Sequence, residues 1–153
     1  VGADRLANAL AVIHDYGAPA VVVDLGTATT FDVVTAGKEY AGGVIAPGLA
    51  TAANALFLRG ARLAPVEIRR PERIMGRTTE EAMQAGIYYG SVGGMDALVR
   101  GIFREMDFPA KTPVVATGGL AGLVAEASET ITRVDPALTV NGIRLAWEAA
   151  GRP

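Results

Sequence analysis

The segment Val21–Asp32, VVVDLGTATTFD, holds the residues of this chain best suited to chemistry. An apolar run delivers a carboxylate at Asp24, Gly26 follows two residues on, and hydroxyls come next at Thr27, Thr29 and Thr30. Phosphate is held well where free backbone N–H groups and hydroxyls converge, and a glycine lets backbone come close to it. A carboxylate beside such a turn can hold a cation or its water shell and offset phosphate charge. The same residues would equally make a β-turn whose Asp and Thr satisfy their own backbone. Val114–Leu120, VVATGGL, is a second apolar run, opening into Gly118-Gly119 before a helical stretch. There a flat ring or a phosphate can lie against backbone at a helix start, or the glycines can simply make a tight turn. Gly42–Gly48, GGVIAPG, is either two turns around a short strand or backbone kept bare beside a substrate.

The elements that would position these segments follow from periodicity. Residues 4–16 predict a helix with Asp4 as its cap, Leu6, Leu10 and Ile13 on one face, and Gly17 and Pro19 at its end. Ala20–Leu25, Thr29–Thr35 and Glu39–Ile45 predict three strands joined by two short glycine-bearing links, suited to antiparallel hairpins. Leu49–Leu58 predicts a helix, and 59–77, rich in Arg and Pro, an irregular surface excursion. Thr78–Met106 predicts a long helix capped by Thr78 or Thr79, with Glu80 and Glu81 placed to suit its dipole. Its Gly86, Gly90, Gly93 and Gly94 cost about 1 kcal/mol each against Ala. They predict a closely packed neighbouring backbone, or a break near Gly93. A strand over Pro113–Thr117, a helix over Leu120–Ala127, a strand over Ile131–Val134 and a helix over Val140–Ala150 complete the chain. A three-strand meander followed by alternating α and β units is the layout of an α/β, RNase H-like, actin-type ATPase domain. Such domains usually come in pairs with nucleotide between them.

Composition narrows the function classes. The 153 residues suffice for one domain, expected over 1–153, and the apolar and charged fractions are those of a soluble globular protein. A net charge of −2 without a basic stripe speaks against nucleic acid and against a membrane surface. No cysteine is present, which excludes disulfides and thiolate metal sites, and His14 is the single histidine. No apolar run approaches the roughly 20 residues that span a bilayer. The start lacks a signal-peptide layout, so a cytoplasmic location is expected. Because the sequence opens on Val1 and enters a helical pattern almost at once, a processed, truncated or partial chain is expected.

Taken in order, DLGTATTFD at Asp24–Asp32, GGVIAPG at Gly42–Gly48, GRTTEEAMQAG at Gly76–Gly86 and ATGGLA at Ala116–Ala121 resemble the successive motifs of type III pantothenate kinases. The opening Gly2-Ala3-Asp4-Arg5 is similar to that family's GxDR signature. The resemblance covers essentially the whole chain, but a first phosphate loop of DxGNT type, which begins full-length members, is not in it. It implies one half of a two-domain kinase, with helix 4–16 leading in from the other half. It also implies ATP-dependent phosphorylation of pantothenate to 4'-phosphopantothenate, the first step towards coenzyme A, by a piece expected to be inactive alone.

The resemblance also distributes roles. Asp4 would be the base that takes the proton of the pantothenate hydroxyl, although without the resemblance a plain helix cap is the simpler role. Gly2, Ala3 and Arg5 would contact pantothenate, as would Thr79. Asp24 would hold a monovalent cation, potassium or ammonium. Gly26 and Thr27 would contact ATP, Gly118 and Gly119 would lie near its adenosine, and Mg2+ would arrive with the nucleotide. The glycine face at Gly86–Gly94 would pack internally or in a homodimer. Alternatives are a transcriptional accessory protein of the same family, or another actin-type small-molecule kinase.

Overall fold

A computed structural model describes residues 1–60 and 63–151 of the chain. Residues 61 and 62, inside the irregular stretch expected over 59–77, lie outside that description, as do 152 and 153. In chain order the elements are α1 (Ala3–Asp15), β1 (Ala20–Leu25), β2 (Ala28–Val34), β3 (Tyr40–Pro47), α2 (Leu49–Arg59) and α3 (Thr79–Met106). They continue with β4 (Val114–Thr117), α4 (Ala121–Ala125), β5 (Arg133–Val134) and α5 (Leu138–Ala149).

The five strands form one sheet in the order β3-β2-β1-β4-β5. The hairpin-linked strands β1, β2 and β3 run antiparallel, while β4 lies parallel to β1 and β5 parallel to β4. Strand β1 is central, and its β-branched run is buried on both faces, as a sheet covered on both sides demands. Val21, Val22 and Val23 are fully buried, worth about 1.5–3 kcal/mol apiece relative to exposure.

Side-chain alternation then assigns the faces. Val21, Val23 and Leu25 join Phe31, Val33, Val114 and Ala116 in the core shared with α3. Ala20 and Val22 join Val34 and Val115 under α1, with Leu138 of α5. Asp24 has the parity of Val22, and Asp32 pairs directly with Val22 across the β1–β2 ladder. Both carboxylates therefore lie on the α1 face. Helix α1 seats Ala7, Asn8, Ala11 and Val12 against the sheet, and α5 crosses it so closely that a Cβ on Gly142 would fall 1.9 Å from the Ala7 carbonyl oxygen.

Helix α3 spans 28 residues, about 42 Å. Thr78 caps it, accepting from the Glu81 N–H at 3.1 Å, while the Glu81 carboxylate accepts from the Arg77 N–H at 2.7 Å. Asp96, on the buried face of α3, gathers the 128–130 turn. It accepts from Ser128 Oγ at 2.7 Å, the Glu129 N–H at 2.9 Å and Thr130 Oγ1 at 2.6 Å. These bonds outweigh burial and hold its carboxyl below the usual range.

Three expectations change on contact with the structure. Asp4 is not the cap of α1: the helix begins at Ala3, Gly2 occupies the N-cap with no side-chain bond, and Asp4 lies in the first turn. Helix α3 is continuous through Gly93, and, apart from the helix's own nearby backbone, no described atom lies within 4 Å of where a Cβ would stand at Gly86, Gly90, Gly93 or Gly94. Gly86, Gly90 and Gly94 instead line an apolar groove of about 360 Å³ with Leu25, Ala46 and Leu49. The irregular surface excursion expected after α2 is found over 63–77, pinned to α3 where Gln84 donates to the Glu67 carbonyl and Tyr89 to that of Pro71. Finally, β5, at the edge of the sheet, is only two residues long, and α4 only five.

Candidate functional site

Asp24 stands at the carboxyl end of β1, level with Thr117 at the end of β4. Ligands of open α/β sheets bind outside the carboxyl ends of parallel strands. The Gly26–Thr27 turn that follows is exposed, so it forms a rim and not part of the core. The start of α2 seats against it: the Gly48 N–H donates to the Thr27 carbonyl at 3.2 Å and Thr51 Oγ1 to the same oxygen at 2.6 Å. The Thr27 side chain has no hydrogen-bond partner among the described residues.

Asn8, fully buried in α1, donates from Nδ2 to Asp24 Oδ2 at 3.1 Å. Its own Oδ1 accepts from Thr139 Oγ1 of α5 at 2.6 Å, which fixes the amide's orientation. Asp24 Oδ1 faces the β4–α4 turn. Gly118 there has φ +93°, and a Cβ on it would lie 2.8 Å from Asp24 Oδ1 and 2.7 Å from the Leu25 carbonyl oxygen. Only glycine fits that position, and two oxygens converge on the space a side chain would take. An all-oxygen donor set suits a hard cation. No cluster of three His, Cys, Asp or Glu residues suited to a metal ion occurs among the described residues.

One turn earlier on α1 lie the GxDR residues. Gly2, Ala3 and Asp4 are exposed at the helix start, where a carboxylate suits the dipole. Arg5 turns inward. Its Nε donates to Asp32 Oδ1 at 2.7 Å and its Nη2 to the Phe31 carbonyl at 3.1 Å. Tyr40 of β3 donates its hydroxyl to the same Asp32 oxygen at 3.0 Å, and its ring centre lies 5.8 Å from the guanidinium carbon. Asp32 is wholly buried, and its Oδ2 has no partner among the described residues. Burial pushes its carboxyl above the usual range, while the bond and charge of Arg5 and the hydrogen bond of Tyr40 pull the other way. The Tyr40 hydroxyl is pushed up to about 12, by burial first and then by the Asp32 charge.

The structure thus gathers Gly2, Ala3, Asp4 and Arg5 at one helix start, and Asp24, Gly26, Thr27 and Gly118 around the ends of β1 and β4. Gly119 follows Gly118, exposed, with nothing near its Cα on the side-chain side. Asn8 joins the two groups. Thr79 stands apart, exposed in the first turn of α3, and no described hydrogen bond links it to the rest. Asn8, Thr139 and Tyr40 escape sequence reasoning, as does any role for Asp32. The one usable signal is Asn8, a polar residue inside the alanine-rich buried stripe of α1.

A meander of three strands continued by two parallel ones, with a carboxylate-Gly-Thr turn between the first pair, is the α/β layout that the sequence led us to expect of an actin-type domain. The type III pantothenate kinase family profile matches residues 1–101. A type III pantothenate kinase of Streptomyces avermitilis is 52% identical over 149 residues, covering 97% of this chain and 56% of that protein. One of Moorella thermoacetica is 51% identical over 148 residues, covering 97% of this chain and 58% of its own length. This chain belongs to the type III pantothenate kinase family and spans little more than half the length of these relatives, corresponding to their C-terminal part. A conserved Campylobacter jejuni protein described as of the Baf transcriptional activator family has the same fold, with a TM-score of 0.65 at 21% identity. That match covers 99% of this chain and 65% of the other. Among the described residues no helix is long and apolar enough to cross a membrane.

Proposed function

We propose that this chain supplies the substrate wall and one phosphate wall of a kinase that transfers the γ-phosphoryl group of ATP to the hydroxyl of pantothenate. One observation carries the proposal. Asp4, Arg5 and Asn8 share one helix, and Asn8 is bonded to Asp24 beside the phosphate turn. The rise from Asp4 to Asn8 is about 6 Å, so a substrate alcohol at Asp4 lies close to phosphates held at Gly26 and Thr27.

In this scheme Gly2, Ala3, Arg5 and Thr79 contact pantothenate, Gly26 and Thr27 the phosphates, and Gly118 and Gly119 the adenosine. Asp24 Oδ1 and the Leu25 carbonyl would hold a potassium or ammonium ion, which offsets phosphate charge, and Mg2+ enters with ATP. Asp4 accepts the hydroxyl proton as the substrate oxygen bonds to the γ-phosphorus and the bond to the β–γ bridging oxygen breaks. Positioning and charge do most of the work in such transfers. The protein acts in the cytoplasm as a homodimer, with the glycine-lined groove of α3 as its seam; light scattering checks the oligomeric state.

The deciding experiment is Asp4→Asn in the full-length protein. Loss of a positioned base lowers kcat about 10²- to 10⁴-fold, with pantothenate KM nearly held. Near-normal turnover removes Asp4 from the mechanism.

A further inference from the structure

We propose that Asp32, braced by Tyr40, is a positioning residue that aims the Arg5 guanidinium at the carboxylate of the substrate. This rests on the reading of Arg5 as a pantothenate contact and adds the residues that make the contact specific. Arg5 lies on a mobile-chain residue type with about 2 kcal/mol of rotamer entropy, yet here every inward donor is fixed. Nε and Nη2 together form one edge of the planar fork, and that edge is spent on Asp32 Oδ1 and the Phe31 carbonyl. The Nη1 group has no acceptor among the described residues, and the side chain keeps 15% of its surface exposed. The edge left over, Nη1 with the second Nη2 hydrogen, is a two-donor fork matched to a carboxylate.

Two neighbours, Tyr40 and Gly43, keep it so. The Tyr40 hydroxyl occupies the same Asp32 oxygen, preventing the carboxylate from swinging, and the Tyr40 ring lies near the guanidinium. Gly43 of β3 gives the guanidinium its room. A Cβ there would fall 2.6 Å from Arg5 Nη2 and 1.7 Å from the Phe31 oxygen. The bare backbone of the GGVIAPG segment thus serves the arginine at this position. The arrangement is costly: Asp32 is buried with Oδ2 unpartnered, which a purely structural ion pair would not require. A fold that needed only stability would fill this site with apolar side chains.

The test is pantothenate and ATP binding by calorimetry, with steady-state kinetics, on the full-length protein. Asp32→Asn, which loses a charge-assisted bond, weakens pantothenate about tenfold while ATP affinity stays within about twofold. Tyr40→Phe, which keeps the ring, weakens pantothenate about two- to fivefold and decides the matter if Asp32→Asn fails to fold. In an Arg5→Ala background neither change adds more than about twofold, because residues acting through one another are not additive. Equal losses for ATP and pantothenate, or losses that persist without Arg5, overturn the proposal and leave the kinase reading intact. Unchanged pantothenate affinity in Arg5→Ala alone overturns both this proposal and the assignment of Arg5.

Discussion

Two carboxylates are buried among the described residues, and their surroundings treat them in opposite ways. Asp96 on α3 is saturated by two hydroxyls and a backbone N–H, and its carboxyl titrates below the usual range. Asp32 on β2 is more deeply buried, serves two donors with a single oxygen, and titrates above it. The first is a knot that ties the 128–130 turn to the long helix. The second keeps an arginine pointed at the rim and is left electrostatically unfinished. Where a buried charge is fully partnered it stabilises, and where it is not it is retained for something else.

The largest expected effect on this contrast is Asp96→Ala. It strands the Ser128 and Thr130 hydroxyls and the Glu129 N–H, and costs about 3 kcal/mol, read as a lower urea midpoint. Pantothenate affinity of the folded protein stays unchanged. If Asp32→Asn costs as much stability as Asp96→Ala, the contrast fails.

A pH series sharpens it further. The Asp96 pKa is depressed on folding, so its stabilisation is present above the unfolded value near 4 and lost as pH falls through the folded one. The Asp32 pKa is raised, so its contribution is most favourable below about pH 4 and is lost as pH rises through the folded value. Asp96→Asn therefore flattens the acid limb of urea midpoint against pH, whereas Asp32→Asn gains most, relative to the parent, at neutral pH. The same limb in both variants would mean that the two sites are electrostatically alike.

The smallest effect concerns the exposed start of α3. Thr78→Ala removes the cap and costs about 1 kcal/mol, while Thr79→Ala stays within about 0.5 kcal/mol. The opposite order in thermal unfolding would move the cap by one residue.

Sequence patterns located the elements well, because strand alternation and helix period are local properties. The AVVVDL run suits a buried strand, and hydroxyl and Glu spacing narrows the α3 cap to Thr78 or Thr79. What stayed hidden depends on contacts between distant segments. Arg5 and Asp32 are 27 residues apart, and their pairing requires the β1–β2 register together with the docking of α1. Asp32, in TTFDVVT, looks like the polar member of a half-exposed strand. It is buried because helices cover both faces of the sheet. Glycine was misjudged for the same reason: four in α3 suggested a tight crossing, whereas the crossing occurs at Gly142, a single unremarked residue of α5. The Asp24-to-Thr27 turn was legible as a motif, but Asn8, which holds its carboxylate, and Thr139, which holds Asn8, are 131 residues apart.

That crossing has a consequence for how the protein is made. Helix α1 leaves the ribosome before the other elements of this sheet, yet the element that seals its back, α5, is completed about 135 residues later. Closing a loop of that length is slow compared with forming the β1–β3 meander. Until Gly142 slides against Ala7, the apolar underside of the helix bearing Asp4, Arg5 and Asn8 has no lid from α5. Nascent chains halted before that point would be the ones chaperones find.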